Sequence, residues 1–352
     1  MLDAAIEYLQ SSVAPNANTL DSSPEDLRKA LQGLCDRGLM ALKRPQEFGG
    51  PAWPEPDFRT FQEEVARASG ALAFLQTQHQ SAVGLIAKGS NEPLKRELLP
   101  QMHGDQELTG IAFSQLRRPG PPITRAEYTP GGYIINGALP WATGQSFFRH
   151  VILGAALEDG SSVFGLAPFT STETIKFSPP MRLAAMESAQ TVSAEIHNFF
   201  LPDEFVVDIK PPGWILRNDM INITLQGFFA IGCARAGVDV IRHAAGQRNR
   251  HALVHSADLL DSEISTCRQR LQAAQIASEE TTQEKLALRA WAIDLAGRCA
   301  HAAVAASGGR ANSTDHPAQR ITREAMVFTV SAQTEAIQLA TLDRLTRTCN
   351  SE

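Results

Sequence analysis

The chain has 352 residues and carries 32 Lys+Arg against 38 Asp+Glu, a formal charge of −6. That length is too great for one small core and suits two or three packed domains. With 43% hydrophobic and 20% charged residues, disordered and fibrous classes are excluded; mild acidity without a Lys/Arg-rich run argues against a nucleic-acid partner.

Residues 1–108 read as a helical domain. Ser23-Pro24-Glu25-Asp26 combines an N-cap Ser, Pro at the first helical position and an acidic residue three after the cap. Leu27, Ala30, Leu31 and Leu34 follow at helical spacing, and Gly38 suits a stop. After a turn-rich loop from Arg44 to Pro51, three more helices are predicted over Phe58–Ala68, Ala71–Ala87 and Glu92–Met102. The first twelve residues lack a basic start and a long apolar core, against a secretory signal. No apolar stretch is long enough to span a membrane. The expectation is a soluble, cytoplasmic protein.

Between residues 109 and 212 the apolar period changes to two. Strands are predicted around Tyr133–Gly137, Val151–Gly154, Val163–Leu166 and Thr191–Ile196, separated by Gly, Pro, Asp and Ser clusters. Residues 213–352 return to helix and read as a four-helix bundle. A long buried helix covers Met220–Ala245. Leu260, Ile264, Cys267, Leu271 and Ala274 form one seam, and Leu288, Trp291, Leu295, Cys299 and Ala302 another. Gly308-Gly309 ends the third helix, and a fourth runs from Ala318 to Leu345 with Val327, Val330 and Ile337 inward. The fold class is therefore α+β: N-terminal helices, a middle antiparallel β domain, and a helical bundle. Several apolar helix faces imply a homodimer or homotetramer.

The five cysteines, Cys35, Cys233, Cys267, Cys299 and Cys349, show neither CxxC nor Cys/His ligand spacing, so no metal site or disulfide framework is expected.

Several segments, in this order and spacing, resemble the acyl-CoA dehydrogenase family. They are the loop Arg44–Gly50, the run LKRELLPQMHGDQELTGIAFS, the block GYIINGALPWATG, the stretch MRLAAMESAQTVSAEIHNFFLPDEFV, and SGGRANSTDHPAQRITREA followed by VSAQTEAIQLATLDRL. The resemblance implies FAD, with FMN the alternative, an acyl thioester substrate, and an electron-acceptor flavoprotein or oxygen. Trp141 and Thr143 lie two apart, so on one strand they share a face, where an indole can flank a flavin ring and a hydroxyl can bond its edge. By resemblance, Phe113, Ser114, Gly308, Gly309 and Thr334 are further cofactor contacts.

The sequence also departs from that family. Its carboxylate base falls on Ala332 in one alignment and on Asn222 in the other, and neither residue accepts a proton. Glu335 is the nearest carboxylate, but successive helical positions diverge by about 100°. Gln115 to Pro122 replaces a Gly-Ser-Asp loop, leaving Arg117 and Arg118 as possible phosphate ligands or solvated loop charges. The cross-subunit Arg-x-x-Phe-Gly segment has become Arg250 to His255, and Ala305 replaces a Gln. His79 and His316 could serve a reduced-flavin monooxygenase on the same scaffold or be structural. A non-catalytic ligand-binding descendant is the third reading. Arg320, Arg323 and Glu324 read as a structural ion-pair set.

Overall fold

A computed structural model describes residues 1–246, 250–276 and 281–346. Cys349 lies outside the described residues.

Six helices open the chain: α1 (Leu2–Tyr8), α2 (Ala17–Ser22), α3 (Pro24–Cys35), α4 (Glu55–Ala68), α5 (Gly70–Ala87) and α6 (Glu92–Leu98). The Ser23 hydroxyl accepts from the Asp26 amide, with Pro24 in the first turn, so the predicted cap forms. α6 stops short of Met102 because Pro100 has no N–H with which to continue the helical hydrogen-bond ladder.

Eight strands follow: β1 (Thr109–Ala112), β2 (Thr124–Thr129), β3 (Gly132–Ala142), β4 (His150–Ala156), β5 (Ser162–Pro168), β6 (Ile175–Phe177), β7 (Val192–Pro202) and β8 (Val206–Lys210). One half runs β6-β7-β3-β2; the other joins β1, β4, β5 and β8. A single parallel pairing, Arg125 with Ala156, links the halves. The predicted antiparallel character holds within β2–β3–β7 and β4–β5–β8, but β1 runs parallel to β4. The β2–β3 hairpin intervenes between those two strands, and a parallel pair needs such a long connection.

The remaining helices are α7 (Trp214–Asn222), α8 (Gly227–Gly246), α9 (His251–Ile276), α10 (Thr282–Ser307), α11 (Pro317–Val330) and α12 (Glu335–Thr346). Two helices expected to be continuous are broken. Residues 223–226 interrupt the first, where Ile223 and Thr224 set two β-branched residues side by side. Residues 331–334 interrupt the last: Ala332 takes φ +48°, and the Thr334 hydroxyl accepts from the Ile337 amide to start α12. Val330, expected inward, is instead 56% exposed at the end of α11. Both seams hold in their centres, with Ile264, Cys267, Leu271, Ala274, Leu288, Leu295 and Cys299 buried. Leu260, Trp291 and Ala302 are partly buried at the edge. Burial pushes the Cys35, Cys267 and Cys299 thiols up to about 12, which makes them inert core residues.

A polar junction ties helices to sheet. Arg320 donates from Nη1 to both Glu324 oxygens at 2.7 and 2.8 Å. Glu324 Oε1 accepts from the Gly70 amide at 3.0 Å, at the start of α5. Arg323 pairs with Asp21 at 2.8 Å, and Asp21 accepts from the Met186 amide at 2.7 Å. The set read as structural is structural. A Cβ at position 70 would lie 2.6 Å from Glu324 Cδ and 2.8 Å from Met186 Cε, so any larger residue must push these side chains aside.

Candidate functional site

β1 leads into Phe113 and a single 3-10 turn, Ser114–Arg117. Phe113 packs edge-on against Phe164 at 5.3 Å between ring centroids, while Ser114 is exposed. Gln115 folds inward; its Nε2 donates to the Gly154 carbonyl at 2.9 Å, and its buried Oε1 has no partner. Arg117 forms a two-point pair with Asp219 of α7 at 2.7 and 2.9 Å, so it is already engaged and is not an open phosphate ligand.

β1 also lies against β3. Near the end of β3, Trp141 is 47% exposed, an indole with an open face. Thr143 is 6% exposed, and its Oγ1 shares a 3.0 Å hydrogen bond with Thr191 Oγ1. The expected shared face is therefore not what forms. The β3–β7 register slips between Leu139 and Ala142, and Thr143 falls beyond the end of the strand. A bulge of this kind breaks the two-residue alternation. The indole faces outward and the hydroxyl inward.

The positions aligned with the family base lie at the two helix breaks. Asn222 ends α7, with Nδ2 donating to the Asn218 carbonyl at 2.7 Å. Ala332 is exposed in the second break, Thr334 caps α12, and Glu335 is an exposed carboxylate in the first turn of α12. The α12 start at Glu335 removes the continuous helix from which its direction was reckoned, yet it remains solvated. Ile223, Leu286, Ile293 and Ile337 form one apolar cluster, so both breaks meet on α10. Gly308 ends α10 with φ +64°, which explains a Gly there; a Cβ at Gly308 or Gly309 would meet nothing within 4 Å. Among the described residues, no close approach requires either.

The two histidines are structural. His79 is fully buried; its Nδ1 accepts from the Thr109 amide at 2.9 Å, and its Nε2 donates to the Met102 carbonyl at 2.7 Å. Burial pulls its pKa down to about 4, so the ring stays neutral. His316 caps α11, with Nδ1 accepting from the Ala318 amide at 3.2 Å.

A cleft of about 240 Å³ opens beside the Ser114 turn. Its walls include Gln115 and Arg118 on one side and Lys210 and Trp214 on the other. Lys210 pairs with Asp208 and lies 5.5 Å from the centroid of the Trp214 ring. The exposed Arg118 and the Trp214 ring suit a phosphate-bearing ligand, whereas Lys210, like Arg117, is already paired with a carboxylate. Trp141 does not line this cleft; the Ser114–Gln115 step connects the two places in sequence. Lys210, Trp214 and the unpaired Gln115 oxygen were not singled out from the sequence, since they come together only when β8, α7 and the Ser114 turn assemble. Among the described residues no group of three or more His, Cys, Asp or Glu is placed to hold a metal ion. Among them, too, no helix is long and apolar enough to cross a membrane.

Two profiles of known families match the chain: "Acyl-CoA dehydrogenase, N-terminal domain" over residues 1–105 and "Acyl-CoA dehydrogenase, C-terminal domain" over residues 224–335. The chain is 21% identical to a 3-(aryl)acrylate reductase of Clostridium sporogenes, over 95% of this chain and 94% of that protein. It is 26% identical to a 3-sulfinopropanoyl-CoA desulfinase of Variovorax paradoxus, over 95% of this chain and 90% of that one. The structure of butyryl-CoA dehydrogenase from Megasphaera elsdenii superposes with a TM-score of 0.81 at 18% identity, covering 98% of this chain and 97% of that one.

Proposed function

Because the chain belongs to the acyl-CoA dehydrogenase family, whose members are oxidoreductases acting on CH–CH groups, we propose that it is a flavin-dependent enzyme acting on an acyl thioester. The single observation that carries this reading is Trp141, a large aromatic side chain left 47% exposed near the end of β3, a strand that lies against β1. An indole so placed is a ready wall for an isoalloxazine ring. Phe113 and the exposed Ser114 would line its polar edge, and Thr143 would fix the Trp141 backbone through Thr191 rather than touch the ring. Gly308, Gly309 and Thr334 would contribute where a second copy completes the site. FAD is the proposed cofactor, with FMN the alternative; when bound, it supplies two-electron chemistry.

The cleft would take the charged end of the thioester, with Arg118 at its phosphates. At the other end Ala332 and Asn222 hold no exchangeable carboxyl. The favoured substrates are therefore those whose α-carbon need neither lose a proton to a residue at either break nor gain one from it. The names of the two relatives, an acrylate reductase and a desulfinase, support a reaction other than plain dehydrogenation. Exposed Leu339, Leu342 and Leu345 along α12 support a homodimer or homotetramer. An electron-carrying flavoprotein or oxygen is the proposed redox partner, and the cytoplasm the proposed location.

The test is the absorbance spectrum of the purified protein, with the released cofactor identified, followed by anaerobic mixing with saturated and enoyl thioesters. A yellow protein whose oxidised flavin is bleached by a saturated thioester, or whose reduced flavin is reoxidised by an enoyl thioester, supports the reading. A protein that takes up neither FAD nor FMN removes it.

A further inference from the structure

Arg289 heads the fully buried side chains in volume and is 1% exposed. Its Nη2 donates to the carbonyls of Phe328 and Ser331, each at 3.3 Å, while Nε and Nη1 have no partner. Among the described residues no carboxylate pairs with it, and burial alone pulls its pKa down to about 9. A lone cation in a core is costly, and an apolar side chain of similar length would pack there without that cost.

The two carbonyls show what the guanidinium does. Phe328 is in the last turn of α11, where carbonyls have no partner within the helix, and Ser331 is the residue that leaves it. The negative end of the helix dipole faces the guanidinium. Immediately beyond, Ala332 takes φ +48°, a region non-glycine residues enter at some cost. Ala332 is exposed, so no packing of its own holds it there. Leu286 and Ile293 lie three residues before and four after Arg289, on the same face of α10. They share a cluster with Ile223 of the first break and Ile337 just past the second. Arg289 therefore occupies the α10 face on which both breaks converge.

We propose that Arg289 is a positioning residue for the reaction site: it pins the backbone of residues 331–334 from inside the bundle and so fixes the direction of residue 332. This rests on the reading above that the second break faces the substrate. One nitrogen, Nη2, carries two N–H donors and reaches both carbonyls, so the backbone between them is held at two points.

Hydrogen exchange of the folded protein tests the pin directly. Arg289→Met is expected to speed exchange of amides 331–335 by about tenfold while the interiors of α8 and α10 keep their protection. Arg289→Lys, which keeps the charge on one shorter-reaching ammonium, is expected to fall between the two. Unchanged exchange at 331–335, or acceleration spread evenly over the bundle, overturns the proposal. If the Met variant does not accumulate, the Lys variant decides alone: faster exchange confined to 331–335 supports the pin, and wild-type exchange everywhere overturns it. With flavin-loaded protein and a reactive thioester, Arg289→Met should lower the limiting rate of the flavin colour change about tenfold with little change in thioester affinity. A protein inert to every thioester would refute the proposed function, while the exchange result would still decide the role of Arg289.

Discussion

The two ends of α11 treat buried charge in opposite ways. Near its start, Arg320, Arg323 and Glu324 meet Asn18, Asp21, Gly70 and Met186, and none of the buried side-chain polar atoms there lacks a partner. At its end, Arg289 offers donors to two carbonyls and keeps two nitrogens unsatisfied. The first arrangement joins three parts of the chain: α2, the start of α5 and the loop before β7. The second touches only a short break. Saturated networks hold domains together; a half-satisfied group marks backbone held for another purpose.

Breaking the saturated end should have the largest effect. Glu324→Ala leaves Arg320 buried without its carboxylate and should cost about 3–5 kcal/mol in denaturant unfolding. A cost below about 1 kcal/mol would mean that the junction is no stronger than a surface pair, and the contrast would fail.

His79 is a second saturated group, and pH probes it without mutation. Its folded pKa, about 4, lies below the ordinary value of 6.5, so the unfolded chain binds the proton first as pH falls. Stability from this group is complete above pH 6.5 and is lost on acidification towards pH 4, by about 3 kcal/mol in all. Unfolding curves between these pH values should show that slope, and His79→Gln should flatten it. A smaller effect is expected from Gly70→Ala, about 1–3 kcal/mol, because the new methyl would press on Glu324 and Met186. Thermal unfolding would detect it; an unchanged midpoint would show that the junction can give way.

Much of this was legible in the sequence because it depends on local pattern. The Ser23 cap, the centres of both bundle seams, and the switch from helix to strand near residue 109 all follow from spacing over a few residues. What stayed hidden was set by register and by partners far along the chain. One slipped residue between Leu139 and Ala142 turned Thr143 away from Trp141, and no periodicity could show it. Arg289 was not singled out, because its carbonyl partners lie about forty positions later in the chain. The breaks at 223–226 and 331–334 were missed because apolar spacing continues across them.

Trp141 gives the smallest effect on stability and the sharpest contrast with Glu324. Its exposed indole contributes little to the core, so Trp141→Ala should leave unfolding within about 0.5 kcal/mol of wild type. A flavin ring resting on that indole would lose an aromatic contact worth about 1 kcal/mol. The dissociation constant for FAD, read from the fluorescence of the free flavin, should therefore rise about tenfold or somewhat less. Thr143→Val is the control, since Thr143 is buried and already bonded to Thr191. It should disturb stability more than flavin uptake. If Trp141→Ala instead unfolded the protein, or bound FAD as tightly as wild type, the indole would belong with the saturated interior and not with a ligand.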